Sequence, residues 1–442
     1  MEINQLAQEW AVSEVAEDRR INMDEYKQLF PYFEFSGDIT YLDNANTSQI
    51  LGSCLSSYVK FHYNYNYNVS RATYSGARQT QQLLEWAHQA AGIFLNAPAE
   101  NIIFTTGATE GLNLIARSFC SMFRYANAKK KPVLLTTQLE HASAILPWMT
   151  FGKDLVEIKY IKLDEQYRLT MENLKAALEE HRPDVLLLAS MTNTTGEFRP
   201  LKEMGTLAKQ YGVTFVVDHA QGAAHAAVDV EEMNIDFLAL SAHKMYGPKG
   251  VGILYARRPE FLQPIKVGGG MNKWFDTNGE FEFQDTTEKL IAGTQNIPGI
   301  YSIIEPIEFL IKNWQNIYNH DLYLGMYAHK LLSKLPKIKL YSNPSSSIIL
   351  FNVDGYEALD VMNYLDKKNI FIRAGNHCSK LTGDLFGLST CRASIGIYNT
   401  EEDITKLYKA LKDMEEDILC LTNDVQDQKT AELENAEQIN VR

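Results

Sequence analysis

Cysteine is scarce in this sequence and never paired. The five residues (Cys54, Cys120, Cys378, Cys391 and Cys420) are odd in number and scattered, with no C-x-x-C among them. That pattern fits neither a disulfide framework nor a zinc site, so no metal is expected, and a reducing, cytoplasmic setting suits it. Basic charge is short as well. Against 55 Asp and Glu stand 42 Lys and Arg, for a formal net charge of −13 and a pI near 5.3. Such a balance argues against nucleic acid or an anionic membrane as partner. No apolar run approaches the roughly 20 residues that span a bilayer. The opening "MEINQLAQEWAVSEVAEDRR" carries acids among its apolar residues, unlike a signal or transit peptide. A soluble globular protein is expected, and 45% hydrophobic with 22% charged residues is ordinary for one.

What is present is alternation. From about residue 100 to 257, the runs "NIIFTT", "PVLLTT", "LVEIKYI", "DVLLLAS", "TFVVD", "FLALS" and "GVGILYA" alternate with helical patterns such as 171–180 and 201–211. Strands apolar on both faces and separated by helices predict a mostly parallel α/β sheet. After residue 300 the pattern changes to "SSIILFNV", "IFIRAG" and "CRASIGIY", with helices expected near 301–313, 321–335, 356–368 and 401–418. That mixture predicts a smaller α+β unit. The expected division is an N-terminal arm (1–40), a large α/β domain (41–300), a small C-terminal domain (301–420, with part of the N-terminal segment) and a polar tail (421–442). The tail is almost devoid of large apolar residues.

Ligands of open parallel sheets bind at the carboxyl ends of strands, and four stretches sit there. "TTGATEG" (105–111) joins a strand to a helix start, where free N–H groups and the positive dipole end suit a phosphate, with Thr109 adding a hydroxyl. "VVDHAQ" ends a buried strand in Asp218, and a carboxylate so placed needs a cationic partner such as a protonated ring nitrogen. "SAHKMYGPKG" (241–250) brings Lys244 from a strand end into a Gly/Pro turn, where a lysine can lose its proton and act as an imine-forming amine. Asp218 and Lys244 lie 26 residues apart (244 − 218), which allows them to face one ligand from neighbouring strands. "LEHAS" places His141 after a strand, to stack on a flat ring or carry protons. Singly, each admits a bland role: a plain turn, a helix cap, a surface lysine, a packed histidine. Jointly they describe a pyridoxal-phosphate site.

These stretches, with "YLDNANTSQ", "AGTQN" and "RAGNHCSK…CRASIGIYNTEEDI", resemble the class V aminotransferase-related enzymes of PLP fold type I, over about residues 40 to 415. The resemblance is strongest to cysteine desulfurases of the SUF kind, a group that includes selenocysteine lyases. It implies a homodimer that converts L-cysteine, or alternatively L-selenocysteine, to L-alanine and leaves sulfur on Cys378 as a persulfide for an acceptor protein. By position, Lys244 would hold pyridoxal 5'-phosphate and move the Cα proton, Asp218 would pair the ring nitrogen, and His141 would stack on the ring. Gln221 and Asn193 would contact the ring hydroxyl. Ala108, Thr109, Ser241 and His243 would hold the phosphate, with Thr294 reaching over from a second subunit. Arg392 would clamp the substrate carboxylate, with Arg373 and Asn193 beside the substrate.

Free thiol has a pKa of about 8.5, so the Cys378 thiolate needs cations nearby, and Arg373 and His377 are the expected suppliers. The sequence departs from the family pattern at Ala108 (often a second threonine), at His219 of "DHAQ" (more often glycine) and at Asn376 of "GNHC" (more often histidine). Other class V lyase or aminotransferase chemistry, or a catalytically silent sulfur-assembly scaffold, are the competing readings. Cys391 is expected to be packing, and the tyrosines of "FHYNYNYNVSR" (61–71) structural.

Overall fold

A computed structural model describes residues 23–69, 73–126, 130–387 and 389–416. Residues 1–22 of the expected arm, Cys420 and the expected polar tail lie outside the described residues. All seven apolar runs of the first part form one sheet: β1 (Ile102–Thr105), β2 (Val133–Thr136), β3 (Glu157–Tyr160), β4 (Val185–Ala189), β5 (Thr214–Asp218), β6 (Phe237–Ser241) and β7 (Gly252–Ala256). Their order is β1-β7-β6-β5-β4-β2-β3. β7 runs antiparallel to β1 and β6, and the remaining pairs are parallel. Both faces are covered, which is why the strands read as unbroken apolar runs. In β4, Leu186 and Leu188 join the core on one face, while Val185 and Leu187 join the core on the other.

Helix α1 (Ala108–Ala126) follows β1 and buries Leu112, Ile115, Ala116, Phe119, Cys120 and Phe123, a stripe at three- and four-residue spacing. Helix α2 (Ala142–Phe151) follows β2, and helices Met171–His181 and Leu201–Gln210 follow β3 and β4. The long connections thus lie on the sheet faces and bring the strand ends bearing the four stretches together along one edge.

Beyond residue 300 the two helices expected at 301–313 and 321–335 are one, α3 (Ile304–Leu332). Residues 314–320, "WQNIYNH", hold no glycine or proline to stop it, and Ile317 and His320 are buried mid-way. At 29 residues it is about 44 Å long. Its first half packs Ile307, Leu310 and Ile317 into the large core, and its second half packs Leu324, Ala328 and Leu332 into the small one. The small sheet is antiparallel, β8 (Ile338–Leu340), β9 (Ile348–Val353), β10 (Arg373–Gly375) and β11 (Thr390–Ser394), in the order β8-β9-β11-β10. The expected strand "IFIRAG" is split. Ile370–Phe371 pairs in parallel with Thr40–Tyr41, and only Arg373–Gly375 joins the sheet. That break points the segment after Gly375 toward the end of the large sheet.

Candidate active site

A cleft of about 200 Å³ opens where the ends of β4, β5 and β6 meet β10. Its lining includes Ala108, Thr109, His141, Asn193, Asp218, Gln221, Ser241, His243, Lys244, Arg373 and Cys378. With Ala45 also on the lining, residues up to 333 positions apart (378 − 45) are therefore brought to one place. Two expected residues lie off the lining. Arg392 is fully buried behind it, and Thr294 is exposed elsewhere on the chain.

The first wall is the turn from β1 into α1. A Cβ on Gly252 would stand 2.5 Å from the Gly107 Cα, so glycine at 252 is required for the backbones to approach, while Gly107 is favoured by its φ of +155°. The Ala108 N–H donates to the Ser241 hydroxyl at 2.8 Å, and Thr109 Oγ1 lies 2.8 Å from Ser143 Oγ. The start of an α-helix carries the positive end of its dipole, and here the Ser241, Thr109 and Ser143 hydroxyls gather beside it, an arrangement that suits an anion.

The floor is ionisable and dry. β5 and β6 are parallel neighbours, so Asp218 and the turn bearing Lys244 stand side by side. Burial raises the Asp218 carboxyl to about 6 although Oδ1 accepts the Ala220 N–H. Burial lowers the Lys244 amine to about 8, with Asp218 opposing the shift and Arg392 and Arg373 adding to it. His141 caps α2, its Nδ1 accepting the Ser143 N–H at 3.1 Å, which assigns the neutral ring's proton to Nε2. Burial first, then Lys244, Arg373 and Arg392, push this imidazole down to about 3. The ring is neutral at pH 7. The Gln221 amide donates to the Ala45 carbonyl, and His243 contacts Thr47.

This donor set fits pyridoxal phosphate. A buried carboxylate with its charge barely compensated suits a pyridinium nitrogen, a lysine amine of depressed basicity suits an aldehyde, and the N–H and hydroxyl cradle suits a phosphate.

The rim is built from the small sheet. Arg373 on β10 donates from Nη2 to Cys378 Sγ at 3.0 Å and from Nη1 to Asn46 Oδ1 at 3.2 Å. Cys378 is exposed, whereas Cys54, Cys120 and Cys391 are buried, and burial pushes the Cys391 thiol up to about 12. Arg392 on β11 gives Nη1 to the Asn193 carbonyl at 2.7 Å and faces Asp43 at 3.4 Å, while its Nε has no partner. Asn193 is doubly engaged. Its Nδ2 donates to the His377 carbonyl at 2.7 Å and its Oδ1 accepts from the Ser379 hydroxyl at 2.8 Å.

One expectation about charge is corrected. His377 does not supply a cation beside Cys378, because its ring is buried against Thr390 and its pKa is pushed down to about 3 by burial and by Arg392 and Arg373. His219 is also buried and neutral, bonded through Nδ1 to Ser190 Oγ at 2.8 Å.

Sequence reasoning assigned no role to Asn46 or Ser143, although both lie in quoted stretches and both line the cleft. It also missed the support beneath the floor. Glu140, next to His141, and Arg199 form an ion pair at 2.6 Å whose side chains are fully buried. Glu140 also accepts from the Ala189 N–H and the Thr137 hydroxyl, which ties the ends of β2 and β4 together. A glutamate before a cleft histidine is the one local signal, since a buried acid there needs a basic partner.

Among the described residues no helix is long and apolar enough to cross a membrane. The class-V aminotransferase family matches residues 40–407. A probable cysteine desulfurase of Borreliella burgdorferi is 35% identical over 388 residues, covering 85% of this chain and 91% of that protein. One of Ureaplasma parvum is 32% identical over 401 residues, covering 88% and 97%. The apo structure of a cysteine desulfurase from Thermococcus onnurineus NA1 superposes with a TM-score of 0.82 at 26% identity, covering 89% of this chain and 98% of that one.

Proposed function

The chain belongs to the class-V aminotransferase family, and from that premise we propose that it is a pyridoxal-phosphate-dependent cysteine desulfurase that turns L-cysteine into L-alanine and takes the sulfur onto Cys378. The observation that carries this reading is the Cys378 thiol, held 3.0 Å from an Arg373 guanidinium N–H in the same cleft as the Lys244 amine. Transamination needs no thiol, so a thiol presented there favours sulfur transfer.

Bound pyridoxal phosphate supplies an electron sink for negative charge at the substrate Cα. Asp218 would pair with the ring nitrogen and favour its protonated form. Lys244, through its neutral amine, would hold the cofactor aldehyde and would move the substrate Cα proton. Ala108 N–H, Thr109, Ser241 and His243 hold the phosphate. Thr294, exposed on its own chain, serves a second copy in a homodimer. His141, neutral with its Nε2 proton, would stack on the ring, and Gln221 and Asn193 would contact the ring hydroxyl. Arg392, with Nε unpaired, is the receptor for the substrate carboxylate. Arg373 stabilises the Cys378 thiolate, which attacks the substrate sulfur. One S–S bond forms, the C–S bond breaks, and a proton delivered to carbon completes alanine, leaving a persulfide on Cys378. A cytoplasmic acceptor protein with a thiol then takes that sulfur at the rim.

The test is alanine formation from L-cysteine and from L-selenocysteine, with and without a reductant to discharge the persulfide. Alanine from L-cysteine that accumulates to one equivalent and turns over only with reductant is expected. Formation at the wild-type rate by Cys378→Ala would overturn the role of Cys378. Activity on L-selenocysteine alone would make the protein a selenocysteine lyase.

A further inference from the structure

His377 and Cys378 are consecutive non-glycine residues in the left-handed region, with φ of 51° and 58°. Side chains with a Cβ rarely adopt it, and two in succession persist only where the surroundings fix them. The fixing groups are identifiable and come from three distant segments. The Ala142 N–H, at the start of α2, donates to the Cys378 carbonyl at 2.9 Å. Asn193 Nδ2 donates to the His377 carbonyl, and the Thr390 hydroxyl pairs with His377 Nε2 at 2.9 Å. The Ser379 N–H closes the turn on the Asn376 carbonyl at 2.8 Å.

Ser379 has a particular place among these. It is fully buried, and its hydroxyl donates to Asn193 Oδ1. An amide can present oxygen or NH₂ in either direction. The His377 carbonyl can only accept, so the NH₂ faces it, and the Ser379 hydroxyl donates to the oxygen left on the other side and holds the amide there. Ser379 itself does not line the cleft.

We propose that Ser379, acting through Asn193, and His377, acting through Thr390, are positioning residues that lock Cys378 in a left-handed turn with its sulfur against Arg373. This rests on the desulfurase reading for its purpose but not for its geometry. The acceptor thiol then meets the substrate sulfur from a fixed position instead of swinging in on a mobile loop. The charged groups facing the thiol are Arg373, Lys244 and Arg392, while His141 and His377 are neutral.

The experiment compares wild type, Ser379→Ala, Ser379→Thr and Thr390→Val as holoenzymes. Alkylation of the Cys378 peptide by iodoacetamide is followed by mass spectrometry across pH, beside cofactor absorbance and steady-state kinetics. Ser379→Ala should displace the alkylation profile clearly from that of wild type, with rates changed several-fold, because the sulfur is no longer fixed against Arg373. The same variant should lose roughly tenfold in kcat with KM for L-cysteine and cofactor absorbance little changed. Ser379→Thr should restore both, and Thr390→Val should move both in the direction of Ser379→Ala. An alkylation profile for Ser379→Ala superimposable on wild type, with absorbance showing an intact fold, overturns the proposal. A wild-type protein that makes no alanine would sink the desulfurase reading alone, and the alkylation comparison would still judge the clamp.

Discussion

Lys244 and Asp218, at the floor of the cleft, stand at the ends of neighbouring parallel strands, Asp218 buried and Lys244 half-buried. Cys378, at the rim, stands in a loop of the small sheet, exposed and in a left-handed conformation. The floor obtains its chemistry from burial, which moves the Lys244 amine to about 8 and the Asp218 carboxyl to about 6. The rim obtains it from a contact, the Arg373 N–H on sulfur, and from a backbone that delivers the thiol to that contact. A cofactor benefits from a rigid, dehydrated floor that holds it through every turnover. A sulfur carrier must be met by two partners in turn, so it belongs where solvent and a second protein can reach.

If floor and rim are separate devices, removing one leaves the other intact. Lys244→Ala should lose the cofactor's bound absorbance and lower alanine formation by about 10³-fold or more. Cys378→Ala should suppress alanine formation by roughly 10²- to 10³-fold while the absorbance of the bound cofactor stays at wild-type strength. Spectra taken beside a product assay decide it. Loss of the cofactor from Cys378→Ala would show that the rim helps to hold the floor together.

The next contrast is between ion pairs. Glu140 and Arg199 are fully buried beneath the floor, whereas Lys380 and Asp384 pair in the open on the short helix after Cys378. Glu140→Gln leaves the Arg199 charge buried without its counter-ion and should cost about 3–5 kcal/mol in urea unfolding. Asp384→Asn should fall within the error of the same measurement, because exposed pairs gain little over solvation. An equal effect from both would mean that burial does not govern the difference.

The same division decides what could be read in the sequence. The floor was legible because its signals are local. Every apolar run from "NIIFTT" to "GVGILYA" became a strand, Asp218 is the last residue of one, and Lys244 stands three residues beyond the end of the next. The rim was legible only as the letters "RAGNHCSK". The conformation of Cys378 depends on Ala142, Asn193 and Thr390, none of which a window around residue 378 contains. For the same reason His377 read as a cation. The sequence places it beside a cysteine, while the fold buries it against Thr390 among arginines. Two helices were expected where α3 is one. Burial of Ile317 and His320 outweighs the weak helix preference of the asparagines at 316 and 319.

Titration separates the two regions further. Below about pH 8 the Lys244 amine is mostly protonated and has no lone pair for an aldehyde; above it the neutral form dominates. The rate at which cofactor-free protein takes up pyridoxal phosphate should therefore rise with pH, by nearly tenfold per unit well below 8, and level off above it. Stopped-flow absorbance would follow the uptake. A rate flat between pH 6 and 8 would mean that the amine is already neutral and that burial lowers it further than its surroundings account for.

The smallest expected effect is at the rim histidine. With its pKa near 3, His377 keeps one charge state throughout pH 5 to 8, whereas an unperturbed imidazole would change state near 6.5. Its Cε1 proton resonance should stay constant over that range. A shift with a midpoint near 6 would show that the ring takes up a proton there after all. The proton would find Arg373 and Arg392 already charged nearby, and a protonated His377 would add a third cation to the two that face Cys378 from the small sheet. Constancy would instead leave Arg373 and Arg392 as the two cations facing Cys378 from the small sheet, with His377 acting through its Thr390 contact and not through charge.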